Sequence, residues 1–241
     1  LENGRKRYIN EVTALSQADT AMWLGTPSGI RLLRGTQPPL LRDPAANYFH
    51  EMVITPDANL WVASVPKDNT TPMGVYQFDG KDWRVHDVTS GLPSNAAGDV
   101  AADARGQVWV GTWGKGLAVR DTSGAWHTLN QNNSPLHGCC GGNSYVVVTD
   151  IQRDSQGIMW VGNIHTGLIA MDGYPPTRTM VYGQAALGLG AQRDMGEFAI
   201  APDGLKWIAT PLDGFVLFDD GGTPFAAGDD HSQVFSTLTE A

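Results

Sequence analysis

Cysteine is almost absent from this chain of 241 residues, which has only Cys139 and Cys140, adjacent in the segment HGCCGGN. Two neighbouring cysteines cannot join distant segments, because a bond between them closes only a small, strained ring. A disulfide framework is therefore excluded as the source of the fold. We expect this pair either to stiffen its own glycine-rich loop as an oxidised ring or to remain as thiols.

Basic residues are also scarce, with 16 Lys and Arg against 25 Asp and Glu, which gives a formal net charge of −9. A nucleic-acid-binding domain needs a cationic face to neutralise phosphates. The charge balance therefore argues against nucleic acid as a partner.

Long apolar runs are missing as well, and no stretch approaches the roughly 18 apolar residues of a membrane-spanning helix. The chain opens at Leu1 with no signal-peptide pattern. We expect it to be an internal or processed piece of a longer polypeptide.

Motifs that carry catalysis or tight metal binding are not found. There is no G-x-S-x-G elbow, no phosphate-binding loop and no G-x-G-x-x-G after a strand. The six histidines show no H-x-H or H-E-x-x-H spacing: His50, His86, His127, His137, His165 and His231. The sequence therefore predicts no zinc site and no catalytic residues.

What the chain does contain is a repeat centred on tryptophan. Five copies read MWLGT, LWVAS, VWVGT, MWVGN and KWIAT, with their tryptophans 38, 48, 51 and 47 residues apart: Trp23, Trp61, Trp109, Trp160 and Trp207. Three positions before each tryptophan stands a turn residue, Gly in three copies but Thr20 and Ala58 in the first two. We interpret this position as part of a two-residue hairpin turn of the Asp-Gly kind.

Each copy also has a short apolar strand before the turn and a second one after a downstream glycine, such as GLAVR from Gly116. A variable stretch that can form a fourth strand follows, clearest in WRVHD and WHTL. Four short strands at a period of about 40 to 50 residues are typical of a β-propeller blade. The sequence therefore predicts one all-β domain over residues 1–241, a propeller of four-stranded blades with five repeats here and further blades outside this chain. Stacking the blades would bury every repeat tryptophan against its neighbour.

The pattern D-x-x-G-x-x-W-V-G-T-x-x-x-G-L, with GLPSN at 91–95 ahead of one copy, resembles the two-component regulator propeller family. In that family such blades form the periplasmic sensor part of hybrid histidine kinases. Related repeats occur in propellers of the type IX secretion machinery, which DGLKWIAT and DGFVLFDDGGTP at 203–224 resemble. The resemblance implies a periplasmic or extracellular location, and in a sensor it implies a dimer formed through regions outside this chain.

Strand parity brings the W-V-G-T-x-x-x-G turns and the connections between blades to one rim, where loops on a rigid scaffold commonly recognise ligands. We predict ligand-binding candidates on this rim: Asn95, Trp113, Lys115, Asn163, His165 and Asp213. Trp113 is the leading candidate, because it lies outside the repeat column, in a turn, and could stack on a sugar or an aromatic group.

The function that follows is a non-catalytic recognition module, either ligand-sensing or surface-assembling, for a glycan, a peptide or a protein. The alternative is a propeller enzyme, either a streptogramin-lyase-like enzyme or a quinoprotein dehydrogenase, in which a vicinal cysteine pair packs on the quinone. No cofactor is predicted. Ca²⁺ at the acidic group Asp219, Asp220, Asp229 and Asp230 is less favoured than a solvated acidic edge.

Overall fold

The computed structural model describes residues 14–18, 21–26, 29–33, 48–65, 74–139, 143–189, 194–211 and 214–235. These residues form β-strands, and their only helix is a single 3-10 turn at Val88–Ser90. The all-β class predicted from the sequence is therefore confirmed.

The strands form four sheets, one of three strands, one of eight and two of four. The sheet of eight contains two runs of four consecutive antiparallel strands joined by one pairing, so we describe five groups. The first group is β1 (Ala14–Ala18), β2 (Ala21–Thr26) and β3 (Gly29–Leu33), and the second is β4 (Tyr48–Ile54), β5 (Leu60–Val65), β6 (Val75–Phe78) and β7 (Trp83–His86). The third is β8 (Ala97–Ala102), β9 (Val108–Gly114), β10 (Gly116–Arg120) and β11 (Trp126–Leu129). The fourth is β12 (Val146–Arg153), β13 (Met159–Asn163), β14 (Gly167–Met171) and β15 (Thr179–Gly183), and the fifth is β16 (Phe198–Ile200), β17 (Lys206–Thr210), β18 (Gly214–Asp219) and β19 (His231–Phe235).

The first strand of each group, which we name the leading strand, contacts the leading strand of the next group. This holds in succession for β1, β4, β8, β12 and β16. The end of β9 also pairs with the start of β12, where Trp113 lies opposite Val147. The leading strands therefore share one inner surface, and the other strands of each group extend away from it.

The hydrophobic core lies between successive groups, and a repeat tryptophan contributes to each layer. Trp23 packs with residues of β4 and β5, Trp61 with β8 and β9, Trp109 with β12 and β13, and Trp160 with β16 and β17. All four are buried. Each group therefore covers an apolar face that the preceding group could not bury alone.

Trp207 departs from this pattern, because 43% of its surface is exposed. It lies beside Phe215, which stacks on Phe235, and both rings are also partly exposed. The expectation that every repeat tryptophan is buried is therefore wrong for the fifth copy. The physical reason is that no further strand group of the described residues covers this face.

The turn before each repeat tryptophan also differs from the two-residue hairpin that we expected. In the third copy Asp103 N–H donates to Gln107 O and Gly106 N–H donates to Asp103 O, which leaves a three-residue loop. Gly106 has a φ of 83° and Ala58, at the same place in the second copy, has a φ of 62°. This is a tight turn followed by one left-handed residue, a common three-residue hairpin loop. Asp103 completes it by accepting N–H bonds from Arg105 and Gln107.

We predict that Trp160→Ala lowers the free energy of unfolding by about 3–5 kcal/mol, the usual result of emptying a buried aromatic site. Trp160 is fully buried, and its indole N–H donates to Asp154 Oδ2 over 2.8 Å. The half-exposed Trp207 is the matched control, for which Trp207→Ala should cost about 1 kcal/mol or less. Denaturant unfolding measures both values, and equal losses would contradict the layered core.

Candidate binding site: an acidic pocket at the leading strands

Four carboxylates line one pocket of about 360 Å³ on the inner surface. Glu51 lies on β4, Asp99 on β8 and Asp150 on β12, and Glu197 directly precedes β16. Each stands ten residues before the repeat tryptophan of its own group. The repeat therefore delivers one acid per strand group to a shared cavity, which we name the acidic pocket. Its other lining residues are His50, Gly98, Thr149, Gln152 and Phe198.

A β-bulge occurs at each of these acids. The register shifts between Phe49 and Met52 in β4, between Ala97 and Asp99 in β8, and between Val148 and Asp150 in β12. Ahead of β16, Gly196 N–H donates to Ala209 O, and Ala209 N–H donates to Glu197 O. Two residues therefore lie opposite one here as well, as in the other bulges. A bulge adds one residue and redirects the side chains around it. The bulge thus explains how carboxylates reach the pocket from strands whose other residues pack in the core.

Asp99 is the most deeply buried of the four acids, with 4% of its surface exposed. Its Oδ1 accepts the N–H of Val100 over 2.7 Å, but its Oδ2 is buried without a hydrogen-bond partner. Burial raises the pKa of Asp99 well above its usual range, and the charges of Asp150 and Glu51 raise it further. A buried oxygen without a partner is rare in proteins and costs stability.

The pKa values of two neighbouring acids, Asp150 and Glu51, are raised as well. Burial is the main cause that raises the pKa of Asp150 to about 6, although its carboxylate accepts bonds from Phe198 N and Gln152 Nε2. Burial likewise raises the pKa of Glu51, with smaller contributions from the charges of Asp150 and Glu197. The described lining contains no Lys or Arg. The pocket therefore concentrates negative charge without supplying a cation for it.

Trp113 lies beside this pocket and leaves 49% of its surface exposed. Its indole covers Gly98, where a Cβ atom would lie 2.5 Å from Trp113 Nε1. A side chain at position 98 would therefore have to displace the indole from the β8 bulge. Tyr145, which is 46% exposed, packs on Gly114 in the same way. The edge of the acidic pocket at Asp99 is thus next to a half-exposed aromatic surface.

The predicted ligand-binding residues lie in different surroundings. Trp113 belongs to strand β9 rather than to a turn, and Lys115 is exposed in the connection that follows. His165 is exposed, with Nε2 3.6 Å from Asp194 Oδ1. Asn95 Oδ1 accepts the N–H of Val88 over 2.9 Å, at the start of the 3-10 turn. Asp213 lies outside the described residues.

Asn163, another predicted candidate, uses its amide to hold a loop in place. It is fully buried, and its Nδ2 donates to Val147 O and His137 O. Its Oδ1 accepts N–H bonds from Thr166 and His137. Every donor and acceptor of the amide is thus committed to the loop that it holds.

Three of the four acids considered for Ca²⁺ have partners within the chain, whereas Asp230 Oδ1 is buried without a hydrogen-bond partner. Asp220 forms a buried ion pair with Lys206, and Asp219 accepts the N–H of Gly221. Cys139 is buried and disulfide-bonded, whereas Cys140 lies outside the described residues. Within the described ranges, no group of three or more His, Cys, Asp or Glu side chains has an arrangement that could hold a metal ion.

The acidic pocket is the feature that sequence reasoning missed. A signal for it was present, because an acid precedes the tryptophan at the same distance in four copies. In the first copy the paired register places Ala14 opposite Gly25, where the later copies have the acid. The acid therefore recurs only in the four described strand groups that line the pocket.

Comparison with solved structures supports a propeller fold. The extracellular domain of BT4673, described as a one component system of Bacteroides thetaiotaomicron, is 17% identical with a TM-score of 0.67 and covers 97% of this chain and 28% of that one. PorZ, a surface component of the type-IX secretion system of Porphyromonas gingivalis, is 23% identical with a TM-score of 0.61, covering 97% and 35%. Virginiamycin B lyase of Staphylococcus aureus is 10% identical with a TM-score of 0.64, covering 94% and 71%. This chain spans about a third or less of the first two.

The protein is thus a β-propeller in its class of fold. Residues 91–114 and 141–165 match the family model of the two-component regulator propeller. The resemblance to that family, expected from the repeat, is confirmed. No curated protein sequence matches this chain. No helix in the described ranges has the length and hydropathy that crossing a membrane requires.

We predict that Asp99→Asn raises the free energy of unfolding at pH 8 by about 1–3 kcal/mol, because the amide does not ionise and so escapes the burial penalty that raises the pKa of Asp99. Because the pKa of Asp99 is raised in the folded state, folded protein keeps a proton that unfolded chain loses above about pH 4. Wild-type stability therefore falls as pH rises from there, and the amide removes this loss.

The gain from Asp99→Asn should be smaller at pH 5 than at pH 8 when both are measured by thermal or denaturant unfolding. Asp82→Asn, which changes a highly exposed carboxylate, is the control with a change near zero. Destabilisation by Asp99→Asn at every pH would show that the carboxylate has a structural partner.

Proposed function

We propose that this chain is part of a non-catalytic recognition propeller that acts outside the cytoplasm, in ligand sensing or surface assembly. In this proposal each of the five strand groups belongs to one four-stranded blade, the first group contributing three described strands, and further blades complete the ring. The successive contacts of the leading strands and the tryptophan layers support this arrangement.

The observation that carries the proposal is the acidic pocket with Asp99 Oδ2 unpartnered inside it. A cavity that combines strained titratable groups with an exposed aromatic surface is typical of a binding site. Trp113 provides that surface directly over Gly98. A ligand covering Trp113 would remove apolar area from water while its polar groups meet the carboxylates.

The likeness to BT4673 and PorZ favours sensing and surface assembly among the roles open to a propeller. These roles suit a periplasmic or cell-surface location and a glycan, peptide or protein as the ligand. In a sensor, binding would bias the arrangement of a dimer through regions beyond this chain.

A propeller enzyme is the competing function, and one observation favours keeping it. His50 lines the acidic pocket beside four carboxylates, and the fold is similar to that of virginiamycin B lyase. A lyase of that kind needs a metal-supported histidine at the channel. Product formation from a panel of candidate ligands, lost in His50→Ala, would favour this function over recognition.

We predict that Trp113→Ala weakens ligand binding by about tenfold or more, since exposed tryptophans often dominate binding energy. Trp207→Ala is the matched control, because it removes a similarly exposed tryptophan on a different sheet. The measurement is a thermal-shift screen of glycan fragments and peptides, in which a ligand at 100 times its Kd stabilises by about 2.7 kcal/mol.

The proposal expects a ligand-induced shift in wild type and in Trp207→Ala that is lost in Trp113→Ala. Equal loss in both variants would show that the site is elsewhere or that the response is unspecific.

A further inference from the structure

We propose that the acidic pocket binds a guanidinium group, of the kind carried by an arginine side chain of a peptide or protein ligand. This inference rests on the proposed recognition function and names the chemistry of its ligand. It begins with the four carboxylates that face one cavity and with the absence of Lys and Arg from its described lining.

Another buried carboxylate of this chain, Asp220, has an ion-pair partner within the chain. Asp220 has 3% of its surface exposed and forms an ion pair with Lys206, which is 2% exposed and on a neighbouring strand. Asp99 is buried to the same degree, yet its Oδ2 has no partner. Ionising Asp99 without a partner is costly, so it keeps its proton in the unliganded protein, and a cation from outside the described chain is the complement that would let it ionise.

The geometry favours an extended organic cation over a metal ion. Within the described ranges no three acidic or histidine side chains are arranged to hold one metal ion. A guanidinium spreads its charge over a planar fork of five N–H donors, so it can reach carboxylates that stand too far apart to share a metal. The cavity of about 360 Å³ has room for such a head group together with bridging water.

The aromatic surface beside the pocket matches the rest of an arginine side chain. Trp113 lies against the β8 bulge next to Asp99, with about half its indole exposed. Arginine packs its apolar stem and its guanidinium plane on aromatic faces. A side chain entering past Trp113 would therefore contact the indole along its length and carry its charge to the carboxylates.

The same groups make binding depend on pH. The titratable groups facing Asp150 from the packed elements are His50 and Glu51 on β4, Asp99 on β8 and Glu197 before β16. A guanidinium binds the ionised carboxylates, so protonation competes with it. Affinity should therefore rise with pH as Asp150, whose pKa is raised to about 6, and Asp99, whose pKa is also raised, lose their protons.

The test is isothermal titration of the protein with the peptide Ac-Gly-Arg-Gly-NH₂, its neutral counterpart Ac-Gly-Gln-Gly-NH₂, free agmatine, and CaCl₂. We expect the arginine peptide to bind and the glutamine peptide to bind at least about tenfold more weakly, as loss of a charged hydrogen-bond partner predicts. Agmatine distinguishes a free small cation from a side chain: binding by agmatine alone supports the guanidinium chemistry with a small-molecule source.

Two isosteric variants localise the binding. Asp99→Asn and Glu51→Gln should each weaken the arginine peptide by about tenfold. Asp82→Asn removes one negative charge from an exposed position and should leave the affinity unchanged. Because Asp99→Asn is expected to stabilise the fold, weaker binding in that variant cannot be attributed to unfolding.

Equal affinity for the arginine and glutamine peptides would overturn the inference, as would arginine binding that Asp99→Asn leaves intact. Saturable Ca²⁺ binding without any guanidinium binding would also overturn it. Failure of the recognition function gives a different result, in which no glycan, peptide or cation binds at all. A neutral glycan that binds in a Trp113-dependent way would preserve recognition while rejecting the guanidinium.

Discussion

The packing of the first four repeat tryptophans, each against the next strand group, is the constraint on which the rest of the molecule depends. A single antiparallel group has two faces and too few residues to bury both, so its stability comes from its neighbours. Trp23, Trp61, Trp109 and Trp160 supply the largest side chains of these layers. Since successive groups must meet face to face, their leading strands are forced onto one inner surface. The acidic pocket exists because of that arrangement.

Any feature that recurs in each copy of the repeat is brought together with its counterparts when the strand groups pack. The bulge and the acid recur at one distance from the tryptophan, so stacking the groups brings four like charges together. In an isolated strand group a carboxylate at this place would meet water. In the assembled molecule it meets other carboxylates, and burial and mutual repulsion raise the pKa of Asp99, Asp150 and Glu51. The site is thus a property of the assembly rather than of any one repeat.

The strands and the tryptophan layers could be predicted from the sequence, whereas the acidic pocket could not. Period, turn residues and tryptophan spacing depend on local rules, and they predicted the strand groups and four buried tryptophans. Trp207 was misjudged because its burial depends on what covers the sheet, which no local pattern records. The burial of Asn163 could not be predicted, because its amide exchanges hydrogen bonds with the backbone of His137, which is distant in sequence. Trp113 remains a predicted ligand-binding residue, and its position over Gly98 follows from a bulge that only the paired strands reveal.

The two buried acids Asp220 and Asp99 differ in whether the chain supplies a partner for the carboxyl group. Asp220 is neutralised inside the chain by Lys206, which leaves it nothing to offer a ligand. Asp99 has one oxygen held by Val100 and one left without a partner, in a cavity that opens beside an exposed indole. Packing alone would favour an apolar residue or an amide at that position, because neither has to ionise in a buried place. A carboxylate that weakens the isolated fold yet strengthens a complex is the expected chemistry of a binding residue, since its cost is recovered only when a complementary group arrives.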